Sequence, residues 1–199
     1  RGISFSLVPT TLLAMVDAAH GGKNGFNNDY GKNQIGTFTH PKSIFVCHEL
    51  LDSLTVRDYK DGLIELIKHG LIGSSEIYEE LSLSSDYKVS LDTIKKGIKI
   101  KLDIVSEDFT ELNKRKLLNF GHTIGHLIEK DSEFKVSHGE AVAIGMYYEL
   151  LLSKKHMGLP QEVLNSYLKY LEKIEYNYTY KFSKGKDSIM EALKNDKKR

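Results

Sequence analysis

Hydrophobic residues recur at helical spacing along most of the chain after about residue 56. Leu63, Ile67 and Leu71 share one face of a helix expected over 57–72. A short helix is expected over 74–81. Leu91, Ile94, Ile98, Leu102 and Val105 form the stripe of another over 90–105, with Lys99 and Lys101 off the stripe and expected in solvent. Leu117, Ile124, Leu127 and Ile128 give apolar surface to a helix expected over 111–130. Ser137-x-x-Glu140 is a capping box that starts the next helix at His138, and Gly158-Leu-Pro160 stops it. Amphipathic helices over 160–174 and 187–198 complete this part, with a weak strand pattern at 176–180 between them.

The first fifty residues have a different texture. Residues 3–8 alternate apolar and polar positions and run into Pro9, the pattern of a strand ending at a turn. A short helix follows over 10–19, capped by Thr10 or Thr11. Two glycine-rich loops, 21–25 and 31–36, each hold a lysine, a form suited to phosphate or carboxylate and also to a plain exposed turn. Residues 43–47 are a continuous apolar run, expected as a buried strand with Cys47 as a small buried residue. The change in texture places a domain boundary near 52–56.

Composition changes the picture mainly by exclusion. The 199 residues carry a net charge of +1 and show no basic stripe interleaved with aromatics, so nucleic acid is not an expected partner. One cysteine rules out an internal disulfide and fits a reducing, cytoplasmic setting. No apolar run approaches the roughly 18 residues of a membrane span.

Chemistry concentrates at Asn119-Phe-Gly-His122-Thr-Ile-Gly-His126, followed by Ser137-His138-Gly-Glu140. His122 and His126 are one helical turn apart on one face, and His138 opens the next helix. Three imidazoles brought together would make a site for a borderline-soft cation, zinc by default, although paired histidines are often only surface or core residues. Glycine is unfavourable in a helix by about 1 kcal/mol relative to alanine, so Gly121 and Gly125 imply a close approach to the backbone. Arg115, Asn119, His122 and His126 form one polar row, extended upstream by Glu111, which is costly unless it lines a cavity or meets partners. Glu65 and Lys68 share a face of their helix and read equally well as a solvated ion pair.

Taken together these motifs resemble the 3-dehydroquinate synthase family. The stretches that carry the likeness are Val8 to Asp17, the loops around Lys23 and Lys32, Gly62 to Gly70, Asn119 to His126, and His138 to Met146. The resemblance implies an α/β remnant of a nucleotide-binding domain over 1–54, followed by a mainly α-helical metal- and substrate-binding domain over 55–199. It implies an NAD- and metal-dependent lyase that converts 3-deoxy-D-arabino-heptulosonate 7-phosphate to 3-dehydroquinate and phosphate. The metal would be zinc or cobalt, held by Glu65, His122 and His138, with His126 left for proton transfer beside Lys68 and Glu111. Substrate contacts would come from Arg1, Asp17, Lys23, Asn33, Lys68, Lys101, Arg115, Asn119, His126 and Lys197. Contacts to NAD would come from Thr10, Thr11, Asp17, Lys23, Lys32, Asn33, Leu54 and Asp58. Arg1 matches an arginine that reaches a neighbouring subunit's site, which implies a homodimer. The likeness also has departures: His20 and Asn24 stand where the family has a small apolar residue and Thr, and the glycine-rich dinucleotide-binding half is expected upstream. On that expectation these residues alone bind NAD poorly. Another sugar phosphate cyclase, a metal-dependent polyol dehydrogenase and a non-catalytic helical domain are the competing readings.

Overall fold

The computed structural model describes residues 2–28, 31–84 and 87–196, with side chains 27, 28, 31–34, 195 and 196 outside the description. Arg1 and Lys197, both expected at the substrate, therefore lie outside the described residues, as do the side chains of Lys32 and Asn33.

The strands come first and are short. β1 (Ser6–Leu7) pairs in parallel with β4 (Ser43–Ile44), and β2 (Lys23–Asn28) pairs antiparallel with β3 (Gly31–Phe38). Two expectations are corrected here. The strands expected over 3–8 and 43–47 shrink to two residues each, and Phe45 and Cys47 are exposed. An apolar run is buried only where sheet neighbours cover both faces, and among the described residues this sheet has two strands. The two glycine-rich loops are instead the arms of a hairpin, in which Gly25 faces Gly36. A Cβ on Gly36 would stand 2.3 Å from the Asn24 carbonyl oxygen, so glycine is what lets the arms close.

Between β1 and β2 the chain makes a π-helical turn at Ala14–Ala18, with the Thr11 hydroxyl accepting the Ala14 N–H at 3.1 Å. Buried His20 closes it, its Nε2 lying 2.8 Å from the Met15 carbonyl.

The helical part follows the hydrophobic pattern closely. α1 (Val56–Gly73), α2 (Ser75–Leu83) and α3 (Leu91–Glu107) are capped by Thr55, Ser74 and Ser90, whose hydroxyls accept the N–H three residues on. α4 (His122–Asp131), α5 (His138–Met157), α6 (Gln161–Lys173) and α7 (Lys186–Asp196) complete the order. Ser137 caps α5 and left-handed Gly158 ends it, as the capping box and the glycine stop require. α1 is the central element: every residue from Gly62 to Gly70 is buried. Leu12, Met15 and Val16 from the π turn join Leu63, Ile64, Leu66 and Ile67 of α1 and Val142 and Met146 of α5 in one core.

Three further expectations are revised. The helix expected over 111–130 is broken: Lys114–Asn119 is a 3-10 turn, and the chain reverses at Gly121 with φ +79° before α4 begins. Leu102 and Leu117, assigned to apolar stripes, are 45% and 48% exposed, whereas Lys101, expected in solvent, is buried. Residues 176–180 form no strand; Tyr176 and Tyr180 instead hydrogen-bond Asp61 and Asp131. Among the described residues no helix is long and apolar enough to cross a membrane.

The close approach that Gly121 and Gly125 imply is made by α5. A Cβ on Gly145 would stand 1.9 Å from the Gly121 carbonyl oxygen, and one on Gly125 would stand 3.2 Å from the Ala141 carbonyl oxygen. Glycines on both helices bring α4 and α5 together, and with them the histidines at their first positions.

Candidate metal centre

Three helices each deliver one side chain to a single point. α1 carries Glu65 in its middle, while His122 and His138 open α4 and α5. One ligand atom from each lies within 4.8 Å of the others. Nε2 of His122 and Nε2 of His138 are each 3.6 Å from Glu65 Oε1. Those separations are too long for hydrogen bonds, and Glu65 Oε1 is buried with no hydrogen-bond partner. A buried carboxylate oxygen without a donor is costly. Metal–nitrogen and metal–oxygen bonds of about 2.1 Å in a tetrahedral site put neighbouring donor atoms about 3.4 Å apart. The trio therefore fits a divalent ion, with two imidazoles and one carboxylate as the donor set and a fourth position open.

The other imidazole nitrogens are held from behind. His122 Nδ1 is 3.1 Å from the Phe120 carbonyl, and His138 Nδ1 is 3.3 Å from Glu129 Oε1 of α4. Such partners orient a ligand ring and select which nitrogen faces the ion. Burial lowers the His122 pKa to about 4. Burial acts the same way on His138, but the hydrogen bond to Glu129 and the nearby Glu65 carboxylate outweigh it and raise that imidazole to about 9. Burial opposes ionisation of Glu65, yet the adjacent Lys68 ammonium holds its carboxyl well below the usual range. The corner thus favours a positive charge between its donors.

His126 is not in the trio. It is exposed, with its ring centroid 5.5 Å from that of His122 and 6.4 Å from that of His138. The three-histidine grouping is corrected on this point: the converging ligand atoms are those of Glu65, His122 and His138, and His126 stands beside them. The solvated reading of Glu65 and Lys68 is corrected as well, because the two side chains are 0% and 1% exposed and ion-paired.

Behind the corner lies a second charged cluster. Asp17 Oδ1 is 2.8 Å from Lys101 Nζ, 3.5 Å from His69 Nε2 and 3.9 Å from Lys68 Nζ. Burial raises the Asp17 pKa, but Lys101 and Lys68 override it and hold the carboxyl well below its ordinary value. Asp17, Glu65 and His69 also bring ligand atoms within 4.8 Å of one another. Two ammonium groups already occupy that neighbourhood, so it is an ion-pair network and not a second metal position.

The remaining expected residues divide clearly. Glu111, at φ +63°, ion-pairs with Lys23 and accepts a hydrogen bond from Asn119 at 2.7 Å, which ties the start of β2 to the end of the 3-10 turn. Arg115 is buried, and its guanidinium donates to the Phe109 and Gly21 carbonyls at 2.6 and 2.9 Å. It thereby anchors the loop behind Asp17. Thr10 is exposed ahead of the π turn, while the Thr11 hydroxyl is used in capping it. Leu54 packs on the core, and Asp58 completes the cap of α1 by bonding Thr55. The structure does not bring Leu54 or Asp58 to the metal corner.

Sequence reasoning missed Glu129, His69 and Asp61. A ring side chain next to a site residue in sequence, as His69 is to Lys68, is a weak signal; for Glu129 and Asp61 the partners lie on other segments of the chain. An open apolar groove of about 710 Å³, lined by Ile124, Leu127, Tyr148, Leu151, Phe182 and Leu193, is separate from this chemistry. It lies against the other face of α4 from His122 and His126.

Comparison with known proteins bears on the family and the fold. A family model described as 3-dehydroquinate synthase N-terminal matches residues 1–61, and one described as 3-dehydroquinate synthase C-terminal matches residues 62–199. The 3-dehydroquinate synthase of Methylacidiphilum infernorum (isolate V4) is 40% identical over 201 residues, covering 100% of this chain and 56% of its own length. That of Pyrococcus furiosus is 46% identical over 152 residues, covering 75% of this chain and 45% of its own. The chain thus spans about half the length of the curated relatives it matches. Among solved structures, 2-epi-5-epi-valiolone synthase of Streptomyces hygroscopicus subsp. jinggangensis, with NAD+ and Zn2+ bound, superposes with a TM-score of 0.87 at 25% identity, over 98% of this chain and 56% of that one. A 2-deoxy-scyllo-inosose synthase complexed with carbaglucose-6-phosphate, NAD+ and Co2+ gives 0.84 at 32% identity, over 100% of this chain and 56% of that one.

Proposed function

The chain belongs to the 3-dehydroquinate synthase family, and on that premise we propose that it serves the conversion of 3-deoxy-D-arabino-heptulosonate 7-phosphate to 3-dehydroquinate and phosphate. NAD and a divalent ion, zinc or cobalt, are the proposed cofactors, and aromatic amino acid biosynthesis through the shikimate route is the proposed setting. The observation that supports the reading most strongly is the convergence of Glu65, His122 and His138 around a carboxylate oxygen with no donor.

Glu65, His122 and His138 would hold the ion. When bound, the ion supplies Lewis acidity toward neighbouring hydroxyl and carbonyl oxygens, and NAD supplies a reversible hydride acceptor. The protein's own residues have distinct tasks around them. His126, exposed beside the trio, is placed to exchange protons with substrate. Lys68 spans Glu65 and Asp17 and holds both carboxylates ionised. Glu65, Asp17, Lys68 and Lys101 sum to zero charge, so a divalent ion gives the site a positive excess that an anionic sugar phosphate neutralises. Glu111 pairs with Lys23 and Asn119, and the three are proposed for the substrate side. Thr10 and the hairpin carrying Lys32 and Asn33 are proposed for the NAD side, and Lys197 for the phosphate. Leu54 and Asp58 are better explained by the fold. A homodimer, with Arg1 reaching the partner copy's site, and a cytoplasmic location complete the proposal.

The test has two parts. The chain should bind close to one equivalent of zinc and lose it in His138→Ala; zinc retained at full stoichiometry in that variant overturns the metal centre. The full-length protein should release phosphate from the heptulosonate phosphate. Preference for a hexose or heptulose phosphate that lacks the carboxylate would move the assignment to another sugar phosphate cyclase, the class of both solved neighbours.

A further inference from the structure

We propose that Asp61 is a positioning residue for the metal centre, setting the separation between the helix that carries Glu65 and the helix start that carries His138. The inference rests on the metal-centre reading above. Asp61 lies one turn before Glu65 on the same face of α1. Its Oδ1 accepts the Ser137 hydroxyl at 2.6 Å and the Tyr176 hydroxyl at 2.7 Å. Ser137 is the residue directly before His138. Its hydroxyl donates to Asp61 while accepting the Glu140 N–H at 3.3 Å, so the group that caps α5 also ties α5 to α1.

The residue on the other side of His138 makes the second contact. A Cβ on Gly139 would stand 2.4 Å from Asp61 Cα and 2.6 Å from its Oδ1. The first turn of α5 is therefore seated on α1 at Asp61, through the residues immediately before and after the ligand histidine. Tyr176 adds a third segment. Its N–H donates to the Leu171 carbonyl at 2.9 Å, so the hydroxyl that reaches Asp61 is anchored to the end of α6. Asp61 is not one of the three converging donors. It fixes the backbone on both sides of one ligand relative to the helix bearing another. A displacement of a few tenths of an ångström there changes the 3.6 Å spacing of His138 and Glu65 that suits an ion.

Cobalt(II) is the probe, because its visible bands report coordination geometry without turnover. Asp61→Ala leaves two hydroxyls without their acceptor and should weaken Co2+ binding about tenfold, the range seen when outer partners of a metal site are removed, with altered visible bands. Asp61→Asn keeps a carbonyl oxygen that can accept both hydroxyls and should restore both affinity and spectrum. Leu164→Ala, in the α6 core, should lower the unfolding temperature without moving either. If Asp61→Ala does not fold, Tyr176→Phe removes one of the two hydrogen bonds and should give a smaller loss of affinity in the same direction. The inference is overturned if Asp61→Ala or Tyr176→Phe binds Co2+ with unchanged affinity and spectrum, or if Leu164→Ala weakens binding as much. Failure of the unsubstituted chain to bind Co2+ overturns the metal-centre reading itself, a result distinct from these.

Discussion

Glu65 and Asp17 belong to one charged network, yet their surroundings differ in kind. Asp17 is answered from within the protein by Lys101 at 2.8 Å, His69 at 3.5 Å and Lys68 at 3.9 Å. Glu65 is answered on one oxygen only, by Lys68; the other faces two imidazole nitrogens at 3.6 Å and receives no hydrogen bond. Neither Asp17 Oδ1 nor Glu65 Oε1 receives a hydrogen bond, but two ammonium groups already balance Asp17, whereas Glu65 Oε1 faces only two imidazoles and has room and charge for a cation. Burial alone thus does not mark a functional carboxylate. What marks it is a donor set whose separations suit an ion better than they suit one another.

The largest expected effect comes from removing the charge that makes the difference. Glu65→Gln should abolish zinc binding in a chelator-competition assay. It also leaves the buried Lys68 ammonium without its nearest partner, which costs about 3–5 kcal/mol in urea unfolding. Asp17→Asn breaks the other side of the comparison. It should destabilise the chain by about 2 kcal/mol, less because Asp17 is partly exposed, while zinc affinity stays near that of the unsubstituted chain. An equal loss of zinc in both variants would erase the distinction between the two carboxylates.

A third prediction concerns the approach of the two histidine-bearing helices. Gly145→Ala puts a methyl 1.9 Å from the Gly121 carbonyl oxygen. Forcing α4 and α5 apart should cost about 1–3 kcal/mol, and zinc affinity should fall with it. The smallest effect lies at the rim, where Asp131 accepts from Tyr180 and Ser183 at the end of α4. Hydrogen bonds from Ser183 lower the Asp131 pKa below 3.8. A depressed carboxyl stabilises the native contact above its unfolded pKa, and that stabilisation is lost as pH falls through the folded value. Protection of the Ser183 amide, taken as the ratio of intrinsic to observed exchange, should therefore hold above the ordinary carboxyl range and fall as pH drops through it, while Asp131→Asn should be weakly protected throughout with little change in unfolding temperature.

How far these features were legible in the sequence depends on the range of the interaction behind each. Helices α1, α2, α3, α5 and α6 were readable from apolar spacing and from capping residues within a turn of their ends, because both are local. The break before α4 was not, since a continuous 3.6-residue pattern does not reveal that Gly121 turns left-handed. The hairpin was hidden by polar, glycine-rich arms that carry little strand preference, and the short parallel pair by an apolar run that expects more sheet than the described residues contain. Lys101 looked like a surface residue because its partner, Asp17, is 84 positions away. The same limit applied at the site: the spacing of His122 and His126 pointed to the corner where ligand atoms converge, but His126 stands outside that grouping and Glu65 stands in it. Only resemblance to a family pointed to Glu65, on a helix the histidine motif says nothing about.

The central claim is the composition of the metal shell, and zinc-edge X-ray absorption on the unsubstituted chain and on His126→Ala tests it most directly. Two imidazoles and one carboxylate should appear at about 2.0–2.1 Å, with the two samples indistinguishable. Loss of an imidazole from the shell in His126→Ala, or a shell without a carboxylate, would contradict the account.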